Sequence, residues 1–305
     1  MMVSRWLSVL GLCRVAWVLV ATFALIALLS PVQADITDCN VSSTGIVFSE
    51  YDLVNKAAVA NSGELDVTCT GTGSGANNIV TVDLSTGSGS CVTRTLQNGE
   101  DVLAYNIYTT PGHSTAWCAP ITQSHAFAFG ASPQTHTFTL SGLVASGQNV
   151  PPGTFSDSLV ASLSWPGGAG TTGAVPVTQS APASCSVSAT TLEFGTYSGV
   201  STNATASLEI ICSMESAYSV ALGAGNNLDG TLRRMAGPSS SFVGYSLFSD
   251  PAHTSAWGDG SALGVTAGGT GSGTSQSLTV YGQTSAGPMP IPGSYTDTVV
   301  VTLTY

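Results

Sequence analysis

Cysteine is the residue type with the clearest chemical potential in this chain. Of seven cysteines, one, Cys13, lies in an apolar leader, and the other six are Cys39, Cys69, Cys91, Cys118, Cys185 and Cys212. Zinc sites favour closely spaced Cys-x-x-Cys or His pairs, and neither spacing occurs in the sequence. We therefore expect disulfide bonds and no metal site, although six cysteines leave many pairings open.

Residues suited to catalysis are few. His113 and His253 recur at one offset, as do Asp157 and Asp297, but none has a matched nucleophile nearby. Lys56 is not preceded by Gly, which excludes a P-loop, and no Gly-x-Ser-x-Gly elbow precedes a helix. We expect the histidines to serve in turns or packing, and we expect neither enzymatic activity nor a cofactor. A secreted hydrolase is a low-ranked alternative function.

Charge is scarce and negative. The 305 residues include 6 Lys or Arg and 17 Asp or Glu, a net charge of −11. Without Arg5 and Arg14 of the leader, the net charge is −13. Nucleic-acid binding requires clustered Lys and Arg against phosphate, so this class is excluded. The abundance of Gly, Ser, Thr and Val favours strands and turns.

Residues 1–34 have the composition of a signal peptide. Arg5 and Arg14 supply positive charge, Val15–Leu29 is an apolar run of 15 residues, and Val32–Ala34 supplies small residues for cleavage. The alternative is an anchored transmembrane helix, for which the run is short of the ~20 residues needed. The sequence therefore predicts export to an oxidising compartment, where disulfides form.

The rest of the chain repeats itself once. Cys39, Phe48 and Tyr51 recur 146 residues later as Cys185, Phe194 and Tyr197. Further on the offset is 140, pairing Arg94 with Arg234, Tyr105 with Tyr245, Trp117 with Trp257 and Asp157 with Asp297. We infer two homologous domains, 35–165 and 185–305, joined by a Gly- and Pro-rich linker, 166–184.

Each domain consists of short alternating apolar runs between turn residues, which indicates a β-sandwich. In the last run, Val299, Val301, Leu303 and Tyr305 fall on one face.

The repeat also orders the cysteines. Cys39–Cys69 and Cys185–Cys212 occupy equivalent places, so each pair is expected to form an intradomain bridge. Cys91 and Cys118 remain and occur only in the first domain.

These residues resemble one family. The opening Cys, Phe and Tyr, the Arg before Tyr-x-Leu/Ile-Tyr/Phe, the Trp and the final Pro-Gly-Ser/Thr-Tyr/Phe-x-Asp run are similar to the spore coat protein U domain, the pilin domain of archaic (Csu-type) chaperone–usher pili. Residues 185–305 match nearly throughout, including Trp257-Gly258-Asp259-Gly260. The first half is a diverged copy, with Trp117-Cys118-Ala119-Pro120 at that place.

The resemblance implies two tandem immunoglobulin-like pilin sandwiches, the second lacking its last strand. It implies three partners: a periplasmic pilus chaperone that lends a strand, an outer-membrane usher, and a next pilin subunit whose N-terminal strand replaces the chaperone's. Val299, Val301, Leu303 and Tyr305 would accept that strand, because an uncovered strand edge invites pairing.

The first domain faces the same edge problem after Trp165, and we expect Ala174–Ala181 to fold back as its missing strand. Asp35–Asp38, before Cys39, span at most ~14 Å, which is too short for a donor strand. A subunit that accepts but does not donate belongs at the fibre end, so we expect a pilus-tip adhesin on the cell surface that promotes attachment and biofilm formation. The alternative is a structural spore-coat-like or pilus shaft protein without an adhesive role.

Adhesion is expected to use apolar loops of the first domain, since family tip subunits are thought to contact abiotic or host surfaces in this way. Apolar residues replace polar or small ones of the second domain at several places. The candidates are Ile121, Phe127, Phe129, Leu143, Val144 and Val150. For the two Phe, a strand with one buried face is the alternative interpretation.

Overall fold

The computed structural model describes residues 35–305, and for residues 75–77 it describes the backbone only. The expected signal peptide, residues 1–34, lies outside the described residues. Within residues 35–305 the chain forms strands and one short 3-10 turn, Pro238–Ser240, which confirms the all-β class. No helix in this part of the chain is long and apolar enough to cross a membrane.

The first domain is built from nine strands. They are β1 (Asp35–Ser43), β2 (Ile46–Phe48), β3 (Val59–Leu84), β4 (Arg94–Asn98), β5 (Asp101–Tyr108), β6 (Gln123–Phe129), β7 (Gln134–Val144), β8 (Gly153–Trp165) and β9 (Gly168–Ala181). The long strand β3 serves both layers of the sandwich. Its first part pairs with β1 and β7, and its last part pairs with β6 and β8.

The strand β8 shows how the alternating pattern builds the core. Its buried and exposed residues alternate along most of its length, because successive side chains of a strand point to opposite faces. The inward set includes Leu159, Ala161 and Leu163, which pack into a single apolar core with residues of the other layer.

The segment expected to be a linker is for the most part a strand. Residues 168–181 form β9, which pairs antiparallel with β8 and parallel with β2. The linker boundary at residue 166 is therefore wrong, since the first domain extends to Ala181. The expected return of Ala174–Ala181 as the missing strand agrees with this pairing.

The second domain repeats the arrangement with two smaller sheets. Its strands are β10 (Cys185–Ala189), β11 (Asn203–Cys212), β12 (Ala217–Leu222), β13 (Arg233–Ala236), β14 (Phe242–Phe248), β15 (Ala267–Thr270), β16 (Ser275–Thr284) and β17 (Val301–Thr304). One sheet has the order β10-β11-β16-β14-β13, and the other has the order β15-β12-β17. The strand β17 corresponds to β8, but it lies at the edge of its sheet.

Three disulfides connect the pairs that the repeat predicted. Cys39–Cys69 joins β1 to β3, and Cys185–Cys212 joins β10 to β11 in the equivalent place. Cys91–Cys118 joins two loops of the first domain. The first two bridges fix the opening strand of each domain against its neighbour.

Candidate functional site

The second domain contains an open groove between β17 and the segment 190–197 that follows β10. The groove has a volume of about 960 Å³. Apolar side chains line it from both layers, among them Leu192, Phe194, Leu222, Leu247, Val299 and Val301. Within residues 35–305 no strand occupies this groove, so the interior of the sandwich is accessible along one side.

The same place in the first domain is filled by β9. Val177 lies opposite Ile46 of β2, and Val175 lies opposite Leu159 of β8. Both valines are fully buried. The two domains therefore share one framework, and β9 occupies in the first domain the place that is an open groove in the second.

Matched side chains of the two domains differ in burial. The first-domain residues are buried: Phe48, Tyr51, Leu159, Ala161 and Leu163. Their second-domain counterparts are only half-buried: Phe194, Tyr197, Val299, Val301 and Leu303. Removing one strand from an otherwise equivalent sandwich accounts for the whole set.

The residues expected to accept a strand are partly brought together. Val299 and Val301 line the groove, and Leu303 packs against the same core. Tyr305 lies beyond β17 and is 59% exposed, so the structure does not place it with the other three.

A buried arginine supports the wall of each sandwich. Arg94 Nη2 donates a hydrogen bond to the carbonyl oxygen of Trp117 at 2.8 Å, and Arg233 Nη2 donates to that of Trp257 at 3.2 Å. Burial lowers the pKa of both guanidinium groups, against the opposing effect of nearby Tyr and Asp. Carbonyl oxygens accept hydrogen bonds from these buried N–H groups. A buried donor without an acceptor would destabilise the fold.

This arrangement corrects the alignment of the two halves. Arg94 lies opposite Tyr105 across the β4–β5 pair, and Arg233 lies opposite Tyr245 across the β13–β14 pair. The counterpart of Arg94 is therefore Arg233. Arg234 instead forms a surface ion pair with Asp229 at 3.0 Å, so the constant offset of 140 fails by one residue at this strand.

A tyrosine–aspartate pair lies beside each arginine. Tyr105 donates to Asp157 Oδ2 at 2.7 Å, and Tyr245 donates to Asp297 Oδ2 at 2.6 Å. Burial, followed by the hydrogen bond to Asp, raises the pKa of both tyrosines well above its usual value. Asp297 also accepts from the backbone N–H of Asn226 at 2.8 Å. Its carboxylate thus braces the groove wall.

The matched histidines occupy turns, as expected. His113 and His253 have φ values of 50° and 56°, and their rings pack edge-on against Tyr108 and Phe248 at 5.2 and 5.1 Å. In the part of the chain that the structure describes, no three His, Cys, Asp or Glu side chains are grouped to hold a metal ion.

A second histidine pair was missed by sequence reasoning. His125 of β6 and His136 of β7 stack with ring centroids 3.5 Å apart. Burial, with a smaller contribution from His136, lowers the pKa of His125. The sequence carries no motif for this pair, because one histidine on each of two strands does not indicate that their rings meet.

Half of the six residues expected to form an adhesive surface lie in the core. Phe127, Val144 and Val150 are buried, so their expected exposure is wrong. Phe127 is on the inward face of β6, and Val144 ends β7 opposite Tyr105. The remaining three divide into two half-buried residues, Phe129 and Leu143, and one exposed residue, Ile121.

Two exposed apolar side chains flank the loop disulfide of the first domain. Val92 follows Cys91 and is 86% exposed, and Ile121 follows Cys118 by three residues and is 42% exposed. The carbonyl oxygen of Val92 accepts from Asn106 Nδ2 at 3.1 Å, which holds the backbone in place while the side chain points outward. We call Val92, the Cys91–Cys118 bridge and Ile121 the apolar tip.

The corresponding loop of the second domain is polar. It has Gly258, Asp259, Gly260 and Ser261 where the first domain has Cys118 to Ile121. Asp259 is anionic, and hydrogen bonds from Ser261 lower its pKa. The apolar tip is therefore a feature of the first domain alone.

Comparison with known proteins identifies both halves of the chain. A family model described as the Spore Coat Protein U domain matches residues 25–162 and again residues 171–302. A relative named Protein U, from Myxococcus xanthus, is 34% identical over 130 residues, a match that covers 38% of this chain and 72% of that protein.

A solved structure shows the same fold. A chain of the chaperone–tip adhesion subunit pre-assembly complex from the archaic chaperone–usher Csu pili of Acinetobacter baumannii aligns with a TM-score of 0.55 at 17% identity, covering 88% of this chain and 100% of that chain. The CupB6 tip adhesin from Pseudomonas aeruginosa aligns more distantly, with a TM-score of 0.38 at 11% identity over 88% of this chain and 94% of that chain.

Proposed function

Because the chain belongs to the Spore Coat Protein U domain family, a family of structural rather than catalytic proteins, we propose that it is the tip adhesin of a chaperone–usher pilus. Its second domain accepts a strand from the next pilin subunit, and its first domain contacts the surface. A periplasmic chaperone occupies the groove before assembly, an outer-membrane usher exports the subunit, and the finished protein lies at the fibre tip.

The single observation that carries this proposal is the open groove. The two domains share one framework, and in the first domain β9 lies between β8 and β2. Within residues 35–305, no strand occupies the equivalent place in the second domain, between β17 and the segment 190–197. An apolar groove beside an unpaired strand edge favours strand addition, in which main-chain hydrogen bonds supply affinity and pockets for alternate side chains supply specificity.

The register of β9 supports a prediction for the incoming strand. In the first domain Val177 faces Asp157, and Val175 faces Leu159. The equivalent partners in the second domain are Asp297 and Val299. We therefore expect a strand antiparallel to β17, with small apolar side chains at these two positions and at alternate positions beyond them.

Two further features support a position at the fibre tip. Residues 35–43 form β1, which pairs with β3 of its own domain, so this segment is committed within the subunit. The first domain is complete through β9 and presents the apolar tip. A closed domain with exposed apolar loops suits contact with an abiotic or host surface, and an open domain suits attachment to the fibre.

Strand acceptance is tested on residues 35–305 with synthetic peptides. A peptide with the sequence of residues 174–181 should slow hydrogen exchange in β17 and raise the unfolding temperature of the second domain. The control is a peptide of the same composition in which the residues at inward and outward positions are interchanged. Its apolar side chains would point away from the groove, because successive side chains of a strand lie on opposite faces.

Matched variants localise the effect. Val301→Asp places a charge in the groove and should abolish the response, whereas Val300→Asp, on the outward face and 66% exposed, should retain it. Equal responses to the two peptides, or in the two variants, would refute strand acceptance in this groove.

Adhesion is tested separately in the pilus-bearing cell. The double change Val92→Ser with Ile121→Ser should reduce attachment to polystyrene, because each apolar contact contributes roughly 25 cal/mol per Å² buried and many subunits act together. Val160→Ser, an exposed apolar residue on β8, is the control. Normal fibre yield with unchanged attachment would instead favour a fibre subunit without an adhesive role.

A further inference from the structure

The two domains are joined by a very short connection. The strand β9 ends at Ala181, and β10 begins at Cys185. Ser184 already belongs to the second domain, since its carbonyl oxygen accepts from the backbone N–H of Ser213 at 2.9 Å. Pro182 and Ala183 are thus the residues about which the domains could rotate.

A polar contact crosses this joint. The Lys56 ammonium of the first domain donates to the carbonyl oxygen of Gly273, in the loop between β15 and β16, at 2.5 Å, and to Asn149 Oδ1 at 3.0 Å. Asn149 Nδ2 in turn donates to the carbonyl oxygen of Ser272 at 3.1 Å. Lys56 is the single lysine of the sequence. We call Lys56, Asn149, Ser272 and Gly273 the interdomain clasp.

The first-domain half of the clasp is held in place by its own backbone. Lys56 has a φ of 51°, a left-handed conformation that is unusual for a residue with a side chain. Its N–H donates to the carbonyl oxygen of Asp52 at 2.7 Å, and its carbonyl oxygen accepts from the N–H of Gly147 at 2.8 Å. The turn that positions Lys56 is therefore tied to the loop that carries Asn149.

The second-domain half requires a glycine. Gly273 has a φ of +72°, and a Cβ added there would lie 1.6 Å from Asn149 Oδ1. Its N–H donates to the carbonyl oxygen of Cys212 at 2.9 Å, which fixes the loop beside a disulfide. A larger residue at this position would displace the Asn149 side chain from its contacts and would strain the backbone, because a φ of +72° is rarely adopted by residues with a side chain.

From these contacts we infer that the interdomain clasp locks the two domains into one orientation. The clasp joins rigid parts of each domain across a connection of two residues, so breaking it frees rotation at Pro182 and Ala183. The inference rests on these contacts alone and does not depend on the proposed adhesin role.

The single lysine makes the clasp directly measurable. Residues 35–305 are treated with an acylating N-hydroxysuccinimide ester, and labelling of Lys56 is followed by mass spectrometry of its peptide. A charged donor bound by two oxygens should react at least about tenfold more slowly in the folded protein than in urea-unfolded chain, which corresponds to about 1.4 kcal/mol. Asn149→Ala removes one of the two acceptors and should restore part of the rate, and Gly273→Ala, which also displaces the loop that carries the other acceptor, should restore most of it.

The matched control is Asn61→Ala. Asn61 also donates from its side chain to a carbonyl oxygen, that of Val47, but within the first domain. This variant should leave Lys56 protected. Hydrogen exchange of the two cores establishes that each variant is folded. Labelling of folded wild type at the unfolded rate, or equal labelling of Asn149→Ala and Asn61→Ala, would overturn the clasp.

Small-angle X-ray scattering then tests orientation itself. Wild type should fit a single arrangement of the two domains, whereas Gly273→Ala with folded domains should require a spread of arrangements and a larger mean radius of gyration. Identical scattering curves for these two proteins would show that the clasp forms without determining orientation, and the inference would fail.

Discussion

The two domains differ in one strand, and that difference separates a finished domain from an unfinished one. Both have the buried arginine, the Tyr–Asp hydrogen bond and the opening disulfide. The first domain adds β9 and seals its core, while the second leaves a groove of about 960 Å³. The comparison shows that the same framework occurs with and without this strand, and that the strand decides whether the interior of the sandwich is covered or accessible.

The largest expected effect comes from spoiling the strand that seals the first domain. Val177→Asp would bury an unpaired charge and should destabilise the first domain by about 4 kcal/mol or more. Ser180→Asp, on the exposed face of β9, is the control and should have little effect. Hydrogen exchange measured separately for peptides of each domain reads the outcome. A small, equal effect of both changes would mean that β9 is dispensable and that the two domains are alike.

The matched leucines of β8 and β17 sharpen the comparison at identical chemistry. Leu163→Ala removes a buried side chain and should cost about 2–5 kcal/mol in the first domain. Leu303→Ala, at a half-buried counterpart, should cost about 1 kcal/mol, because less apolar surface is removed from contact. Urea unfolding followed by domain-resolved hydrogen exchange gives both values. Costs of the same size would contradict an open groove beside β17.

The tyrosine–aspartate pairs should respond in the same direction but more weakly. Tyr105→Phe leaves the buried Asp157 carboxylate without one donor and should cost about 1–3 kcal/mol. Tyr245→Phe should cost less, because Asp297 lines an open groove and water can replace the lost donor. Both variants are compared by equilibrium unfolding at pH 7, and a greater cost for Tyr245→Phe would reverse this reasoning.

The smallest expected effect is a pH dependence confined to the first domain. The lowered pKa of His125 means that the folded state binds its proton less readily than the unfolded state. Stability contributed by the neutral ring is therefore present above the unfolded pKa near 6.5 and is lost as the pH falls through the lower folded value. Hydrogen exchange of the first domain should accelerate between pH 7 and 5, and His125→Gln should flatten that profile. An unchanged profile in the variant would assign the acid sensitivity elsewhere.

Side-chain exposure was the least predictable part of the candidate site. The change from Ala or Gly in the second domain to Phe127 and Phe129 in the first suggested a new surface, yet Phe127 faces the core. Conversely, nothing in the sequence indicated that Val92 is exposed, because it is a single apolar residue between Cys91 and Thr93. Only the folding of its loop around the disulfide turns it outward.

The sequence by itself determined the all-β class, the repeat, the three disulfides and the place of the missing strand. These follow from local patterns, since alternation with period two marks strands and equivalent cysteines occupy equivalent strands. Tertiary structure alone decided that the last strand of the first domain begins as early as Gly168, that Val144 and Val150 are buried, and that Lys56 meets Gly273. Each depends on which elements become neighbours across a long stretch of chain, and the periodicity of a single segment carries no information about its distant partners.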